Sequence, residues 1–186
     1  MHIGLFIQNY TLGGIETFLI NFINNFKKEH NITLYYNKSH PDINYLKKRI
    51  FYKNIKFKSY EILSIEYNSL KKNIILFKLI KYINIIIMPL IIIYQIFKLI
   101  ILFKNQKIDR LMVINGGYPG GDLCLSASIS WNYLFPNKKL IHNFHNIAVK
   151  KNKFFLNNFY KNIIDLFLKK GVDEFVSVSK ICSKSL

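Results

Sequence analysis

The first 36 residues constrain the fold most, because they follow an order typical of an open parallel sheet. An apolar run from His2 to Gln8 predicts a strand, and Gly13-Gly14 predicts the turn after it. Ile32 to Tyr36 predicts a second strand. Strand, glycine-rich turn, helix and strand in this order open many α/β sheets. The helix between the strands is indicated by apolar residues at helical spacing, namely Ile15, Phe18, Leu19, Phe22, Ile23 and Phe26.

The second half of the chain repeats this alternation of strands and helices. Asp122 suits the N-cap of a helix that runs to Leu134, and Gly171 suits the end of a later helix. We therefore predict one Rossmann-like α/β domain over residues 1–186, with an open, mostly parallel sheet and helices on both faces. The other predicted elements of this half are strands at Arg110–Asn115, Lys139–Asn143 and Glu174–Val178 and a helix at Lys153–Lys170.

The middle of the chain is dominated by an apolar segment, residues 74–104. Between Ile83 and Phe103 only Lys98 is charged, so the segment is long enough to raise the question of a membrane span. Pro89 predicts a break into two helices, partly buried and partly lying on a membrane. Before this segment, the sequence indicates a short helix at Asn44–Ile50 and a strand at Ile62–Ile65.

The net charge of +17, from 27 Lys and Arg against 10 Asp and Glu, favours an anionic partner. An acidic membrane surface fits better than nucleic acid, because Arg49 and Arg110 are the only arginines and no recognition motif occurs. An AT-rich coding bias explains many lysines equally well. Cys124 and Cys182 have no ligand spacing and indicate reduced thiols, and Met1 to Ile7 lacks a basic leader, which predicts a cytoplasmic protein.

Four short motifs carry a resemblance to a known family. They are Gly13-Gly14-Ile15-Glu16, Lys107-Ile108-Asp109-Arg110, His145-Asn146 and Phe175-Val176-Ser177-Val178-Ser179. In this order and spacing they resemble the N-terminal, acceptor-side domain of family-4 glycosyltransferases, which have two Rossmann-like domains. The resemblance spans nearly the whole chain and is weakest from residue 40 to residue 104.

The resemblance implies a site in a cleft. It implies that Gly13 and Gly14 approach the donor diphosphate and the acceptor beside Glu16, and that His145, with Asn146, contacts the sugar or acceptor as the candidate catalytic residue. Glycine lets a backbone approach a ligand closely, and open α/β sheets bind ligands at the carboxyl ends of strands. Purely structural roles stay open: a tight turn for the glycines, a helix-dipole partner for Glu16 and a core position for the histidine.

The loop from Gly116 to Gly121 also follows a predicted strand and precedes a helix. It lacks both the Gly-Lys-Ser/Thr of a Walker loop and the dinucleotide fingerprint. A plain turn and an acceptor-binding loop explain it equally well. In the second case Gly116, Gly117 and Tyr118 are the candidate contacts, since a tyrosine ring can stack on a sugar.

No metal and no cofactor other than a nucleotide-sugar substrate is expected. The sequence has no Asp-x-Asp pair, and His142, which we expect in the core, forms no ligand set with His145. In the resembling family the donor sugar binds a second Rossmann-like domain, which these residues do not contain. We therefore expect that domain to be supplied in cis or in trans.

The predicted function is the acceptor-side half of a retaining glycosyltransferase of hexosyltransferase type, inactive alone. It would move a sugar from a nucleotide sugar to a glycan or lipid-linked acceptor of a surface polysaccharide, such as lipopolysaccharide or capsule. We expect it on the anionic inner face of the cytoplasmic membrane. The alternative is a non-catalytic accessory or split-gene module that pairs with a separate donor-binding subunit.

Overall fold

The computed structural model describes residues 1–27, 29–64, 77–116, 121–146 and 155–184, with the backbone alone for 77–86 and 155–161. Four parts of the sequence predictions lie outside these ranges: Ile65, residues 74–76, the loop residues 117–120 with Gly117 and Tyr118, and Lys153.

The described residues form six strands and six helices, which alternate along the chain. The strands are β1 His2–Ile7, β2 Asn31–Asn37, β3 Ile55–Tyr60, β4 Arg110–Asn115, β5 Leu140–Phe144 and β6 Glu174–Ser177. The helices are α1 Gly14–Asn24, α2 Ile43–Arg49, α3 Phe77–Lys104, α4 Asp122–Leu134, α5 Phe155–Gly171 and α6 Lys180–Ser183.

The strands form one sheet in the order β3-β2-β1-β4-β5-β6, and every neighbouring pair is parallel. The predicted Rossmann-like parallel sheet is therefore confirmed. Strand order reverses between β1 and β4, which places a crevice between the loops that follow these two strands. The candidate residues Gly13, Gly14, Gly116 and His145 follow β1, β4 and β5 and lie at this end of the sheet, whereas Lys107–Arg110 enters β4 at the opposite end.

Helices cover both faces of the sheet, as predicted, because successive side chains of a strand point to opposite faces. Leu5 and Ile7 of β1 pack with α1 and α2, whereas Phe6 packs with α3 and α4. The core between the sheet and helices α3 and α4 is rich in aromatic rings. Phe103 of α3 meets Trp131 of α4 at a centroid distance of 5.8 Å and Phe6 at 6.1 Å. Edge-to-face contacts of this kind stabilise a core beyond the apolar area that they bury.

The predicted strand at Ile62–Ile65 is wrong for its described residues. Residues 61–64 have no regular structure, and the third strand lies earlier, at β3. Among the described strands β3 pairs with β2 alone and lies at the sheet edge, so it can carry Lys56 and Lys58, of which Lys56 is exposed and Lys58 half-buried. The predicted helix at Asn44–Ile50 is confirmed as α2, within one residue at each end.

The predicted break at Pro89 is also wrong, because α3 continues through this proline. Proline removes one backbone hydrogen bond, but the ring of Pro89 lies on the exposed side of the helix. The opposite side of α3 is held in the core by Ile92, Leu99 and Phe103, each at most 5% exposed. Burial of these side chains outweighs the local cost of the proline.

Candidate functional site

The carboxyl ends of β1, β4 and β5 form one edge of the sheet, at the reversal of strand order. The loop after β4 lies close to the start of α1. A side-chain carbon on Gly116 would lie 3.7 Å from Cδ1 of Ile15. The structure therefore brings together two of the candidate loops, those that begin after β1 and β4.

Gly13 and Gly14 lie exposed at the start of α1. A side-chain carbon at either position would have no other atom within 4 Å. The φ of Gly13 is −172°, which is extended backbone that any residue adopts. The two glycines are thus required neither by backbone conformation nor by contacts inside the described part of the chain. What they leave is open space beside the first N–H groups of a helix, where negative charge is favoured.

Glu16 lies in the first turn of α1 and is 2% exposed. One carboxylate oxygen accepts the Gly13 N–H at 2.8 Å. The other accepts from the Asn9 side chain and lies 3.3 Å from Nε2 of His40. Burial raises the pKa of the Glu16 carboxyl, but its contacts with His40 and with the Gly13 N–H outweigh burial, so this pKa lies below its ordinary value. Glu16 therefore stays ionised and holds the loop from Asn9 to Gly13.

His145 lies just beyond the end of β5, half-buried against α1. Its ring meets the ring of Phe18 edge to face, with centroids 4.7 Å apart. The backbone of His145 is anchored because its carbonyl accepts from Cys182 Sγ at 3.6 Å. Within the described ranges, Nε2 of His145 is buried and has no hydrogen-bond partner. Burial also lowers the pKa of this imidazole, so the ring is neutral at neutral pH.

The remaining candidates are less informative. Asn146 follows His145 and is exposed, and Gly116 is half-buried at the end of β4. His142, three residues before His145, is fully buried, as predicted. Its Nδ1 lies 3.2 Å from Ser128 Oγ, and burial lowers the pKa of His142 to about 4.

Asp122 is not the N-cap of α4, as the sequence predicted, but the first residue of that helix after Gly121. Its side chain points instead into a buried polar group that sequence reasoning missed. Gln8 Nε2 and Ser64 Oγ each donate to Asp122 Oδ1 at 2.8 Å, and Gln95 Nε2 donates to Oδ2 at 2.7 Å. We call these four residues, Gln8, Ser64, Gln95 and Asp122, the Asp122 cluster.

The Asp122 cluster is a structural joint. Gln8 Oε1 accepts the N–H of Leu123 at 2.9 Å and so caps α4 from the end of β1. Gln95 ties α3 to the same helix, and all four side chains are at most 6% exposed. The side chain of Gln8 after β1 and the first residues of α4 thus satisfy hydrogen-bonding groups of each other.

A shallow groove of about 540 Å³ lies on the β2–β3 side of the same edge. Tyr10, Asn37 and Ser39 line it, together with Tyr94 of α3. Tyrosine rings beside amide and hydroxyl groups suit the binding of a sugar. Across the described part of the chain, no group of three or more His, Cys, Asp and Glu side chains is arranged to hold a metal ion.

Comparison with known proteins supports the fold but not a family. No family model matches the chain, and no curated protein matches it. A solved structure described as "Crystal structure of UDP-N-acetylglucosamine 2-epimerase" matches with a TM-score of 0.54 and 12% sequence identity. The match covers 99% of this chain and 41% of that chain. At this identity the likeness shows the shared Rossmann-like α/β fold alone, and this chain spans about two-fifths of the length of that enzyme.

Proposed function

We propose that this domain is the acceptor-side half of a glycosyltransferase that uses a nucleotide sugar. The observation that carries the proposal is the environment of His145. A neutral imidazole lies at the carboxyl end of β5, and its buried Nε2 has no partner within the described ranges. Phe18 joins this ring to α1, one turn after the open Gly13–Gly14 backbone. A buried polar atom without a partner is costly in a protein, and a bound ligand removes that cost.

In this proposal, the residues bind and position the reacting groups rather than forming a covalent intermediate. Nε2 of His145 contacts a hydroxyl of the sugar or acceptor, and the N–H groups at the start of α1 face the donor diphosphate. Asn146 and the start of the loop at Gly116 line the acceptor side. Glu16 fixes the loop and acts indirectly. Positioning and charge stabilisation supply most of the rate in transfers of this kind.

The donor half of the cleft is proposed to come from a second Rossmann-like domain, in the same chain or in a partner. Two observations support this part of the proposal. Strand order reverses between β1 and β4, where ligands bind in open parallel sheets, and the chain spans 41% of an enzyme that shares its fold. Nucleotide sugar, glycan or lipid-linked acceptor and donor domain are then the expected partners, at the cytoplasmic membrane.

The test is sugar transfer in extracts of the source cell, with its own membranes as acceptor. Extracts with and without the gene product receive a panel of labelled nucleotide sugars, and label is measured in lipid and polysaccharide. We expect transfer of one sugar to depend on the gene product and to fall at least about a hundredfold with His145→Gln. Transfer that is identical with and without the gene product, for every sugar in the panel, contradicts the proposal.

A second candidate is a sugar-nucleotide epimerase, which is favoured by one observation, the fold shared with UDP-N-acetylglucosamine 2-epimerase. The same extracts distinguish the two. An epimerase converts the labelled nucleotide sugar to its isomer without any acceptor, whereas a transferase releases the nucleotide and labels the acceptor.

A further inference from the structure

The outward side of α3 is an apolar surface that no other described part of the chain covers. Its large side chains recur every three or four residues and are between 39% and 66% exposed. We call this surface the outer face of α3, formed by Ile87, Leu90, Ile93, Tyr94, Phe97 and Ile101. A helix of a soluble domain normally turns charged or polar residues to solvent, so an apolar outward side indicates a binding surface.

The inward side of α3 shows how the helix lies. Leu99 and Phe103 are fully buried in the aromatic core, and Gln95 is fully buried with its amide bonded to Asp122 and to the Leu63 carbonyl. Among the described residues, Ile87–Lys104 is the one stretch long and apolar enough to cross a membrane, with a mean hydropathy of 2.0. Crossing would strip these core contacts from α3. The helix is therefore available to a membrane along one side only.

The charges around α3 indicate which partner covers it. The helix contains four lysines, Lys78, Lys81, Lys98 and Lys104, and no acidic residue. Lys98 Nζ lies 5.7 Å from the centre of the Tyr94 ring on the outer face. The nearby Glu61, which lines the groove together with Tyr94, is paired with Lys38 at 2.8 Å. Lysines without acidic neighbours are attracted to the headgroups of an anionic bilayer, and exposed apolar side chains gain free energy on contact with its acyl chains.

We propose that the outer face of α3 docks in the plane of an anionic lipid bilayer, with its apolar side chains at the level of the acyl chains and the exposed Lys98 and Lys104 at the headgroups. Tyr94 belongs both to this face and to the groove at the sheet edge. Docking therefore brings the mouth of the groove to the membrane surface. This surface is independent of the sugar chemistry, and failure of one proposal leaves the other standing.

Vesicle co-sedimentation of the 186-residue chain tests the proposal. Vesicles of phosphatidylcholine alone are compared with vesicles that contain about one-third phosphatidylglycerol, at low and at high salt. We expect at least about tenfold stronger partitioning onto the anionic vesicles, weakened by salt. The double variant Ile93→Ser/Phe97→Ser should lower partitioning at least about tenfold.

A matched control is available on α5. Leu166 and Phe167 are 59% and 57% exposed, against 64% and 61% for Ile93 and Phe97. Leu166→Ser/Phe167→Ser should leave partitioning within about twofold, because these residues lie on another helix. Equal losses in both double variants, equal binding to both kinds of vesicle, or no vesicle binding each overturn the proposal. A self-association in solution that Ile93→Ser/Phe97→Ser abolishes would instead assign the face to a second copy of the chain.

A fluorescence measurement reports the depth of docking and does not rely on loss of binding. The native Trp131 is fully buried, so Phe97→Trp adds an exposed reporter on the outer face. Lipids brominated on the acyl chain should quench the new tryptophan by at least about half, since the apolar side of an interfacial helix lies at that level. Unchanged emission in the presence of bound vesicles contradicts the proposed orientation.

Discussion

Two polar regions at the same edge of the sheet differ in how their groups are used. In the Asp122 cluster every one of the four side chains bonds to another, and the cluster joins β1, α3 and α4. Around His145 the hydrogen-bonding groups are not all bonded to described groups. Its ring packs on Phe18, Nε2 is without a partner within the described ranges, and the Gly13–Gly14 backbone faces empty space.

This difference separates residues that hold the fold from residues that remain available for chemistry. Position at the carboxyl end of a parallel strand does not by itself make a polar residue a ligand. Gln8 ends β1 much as His145 follows β5, yet the side chain of Gln8 caps α4. What distinguishes the two roles is whether the hydrogen-bonding groups of the side chain are already bonded within the protein. Substitutions in the closed region should therefore lower stability, and those in the open region should lower activity.

The largest expected effect on stability is that of Asp122→Ala. It removes the carboxylate to which Gln8, Ser64 and Gln95 each donate a buried hydrogen bond, so the free energy of unfolding should fall by about 3 kcal/mol. Urea denaturation measures it. Asp42→Ala is the control, because the side chain of Asp42 accepts the Tyr45 N–H at the half-buried start of α2, and loss of this cap should cost about 1 kcal/mol. Equal losses in the two variants would mean that the cluster is not a joint.

His142 of β5 gives a prediction for the pH dependence of stability. Burial holds the pKa of His142 at about 4, below its ordinary value of 6.5. Below about pH 6.5 His142 binds a proton in the unfolded chain, whereas in the folded chain it stays neutral down to about pH 4. The contribution of His142 to the free energy of unfolding is therefore fully present above pH 6.5 and is lost as the pH falls toward 4. Between about pH 7 and pH 5 the loss should be about 2 kcal/mol, on top of other groups.

His142→Leu removes this titration. The difference in the free energy of unfolding between the wild type and His142→Leu, measured with urea, should therefore change by about 2 kcal/mol between pH 7 and pH 5. A constant difference across this range would place His142 in contact with solvent, contrary to the structure.

Alanine substitutions at two glycines, Gly171 and Gly13, should have smaller effects on stability and can be compared directly. A side-chain carbon on Gly171 would lie 2.6 Å from Asn132 Nδ2, whereas one on Gly13 would meet nothing within 4 Å. Gly171→Ala should therefore lower the free energy of unfolding by about 1 kcal/mol, because Asn132 must move. Thermal unfolding of both alanine variants is the measurement, and an equal loss in Gly13→Ala would show that the loop is not open.

The smallest expected change in stability is that of Gly13→Ala, below about 0.5 kcal/mol. Its effect on activity should be large by comparison, since a methyl group would occupy the space left for a ligand. Sugar transfer by Gly13→Ala at the wild-type rate would exclude close approach of a ligand at this point of the loop.

Local pattern predicted most of the fold. Helical spacing in α1 and the buried runs of β1 and β4 specify their elements within a few residues, and these elements determine the parallel sheet. The strand β3 was missed although its alternation of Lys56 and Lys58 with Ile55 and Phe57 is in the sequence. Pro89 did not break the helix, because it removes one backbone hydrogen bond locally, whereas burial of Leu99 and Phe103 stabilises the whole helix against the core.

The site was predicted in part, and the missing part has a physical reason. The strand-end position of His145 can be deduced from the sequence. The Asp122 cluster cannot, because Ser64 and Gln95 come from distant segments, and their polar side chains resemble ordinary surface residues until the fold brings them together. The partnership of Glu16 with His40 is of the same kind, since a loop and another strand lie between the two residues.

The most direct test of the account measures activity and stability together in His145→Gln. Because Nε2 of His145 bonds to no described group, we expect an unfolding temperature within about 2 °C of the wild type and sugar transfer lowered at least about a hundredfold. Sugar transfer at the wild-type rate by a folded His145→Gln protein would contradict the account. So would a loss of stability as large as that of Asp122→Ala, because His145 would then belong to the part of the molecule that holds the fold.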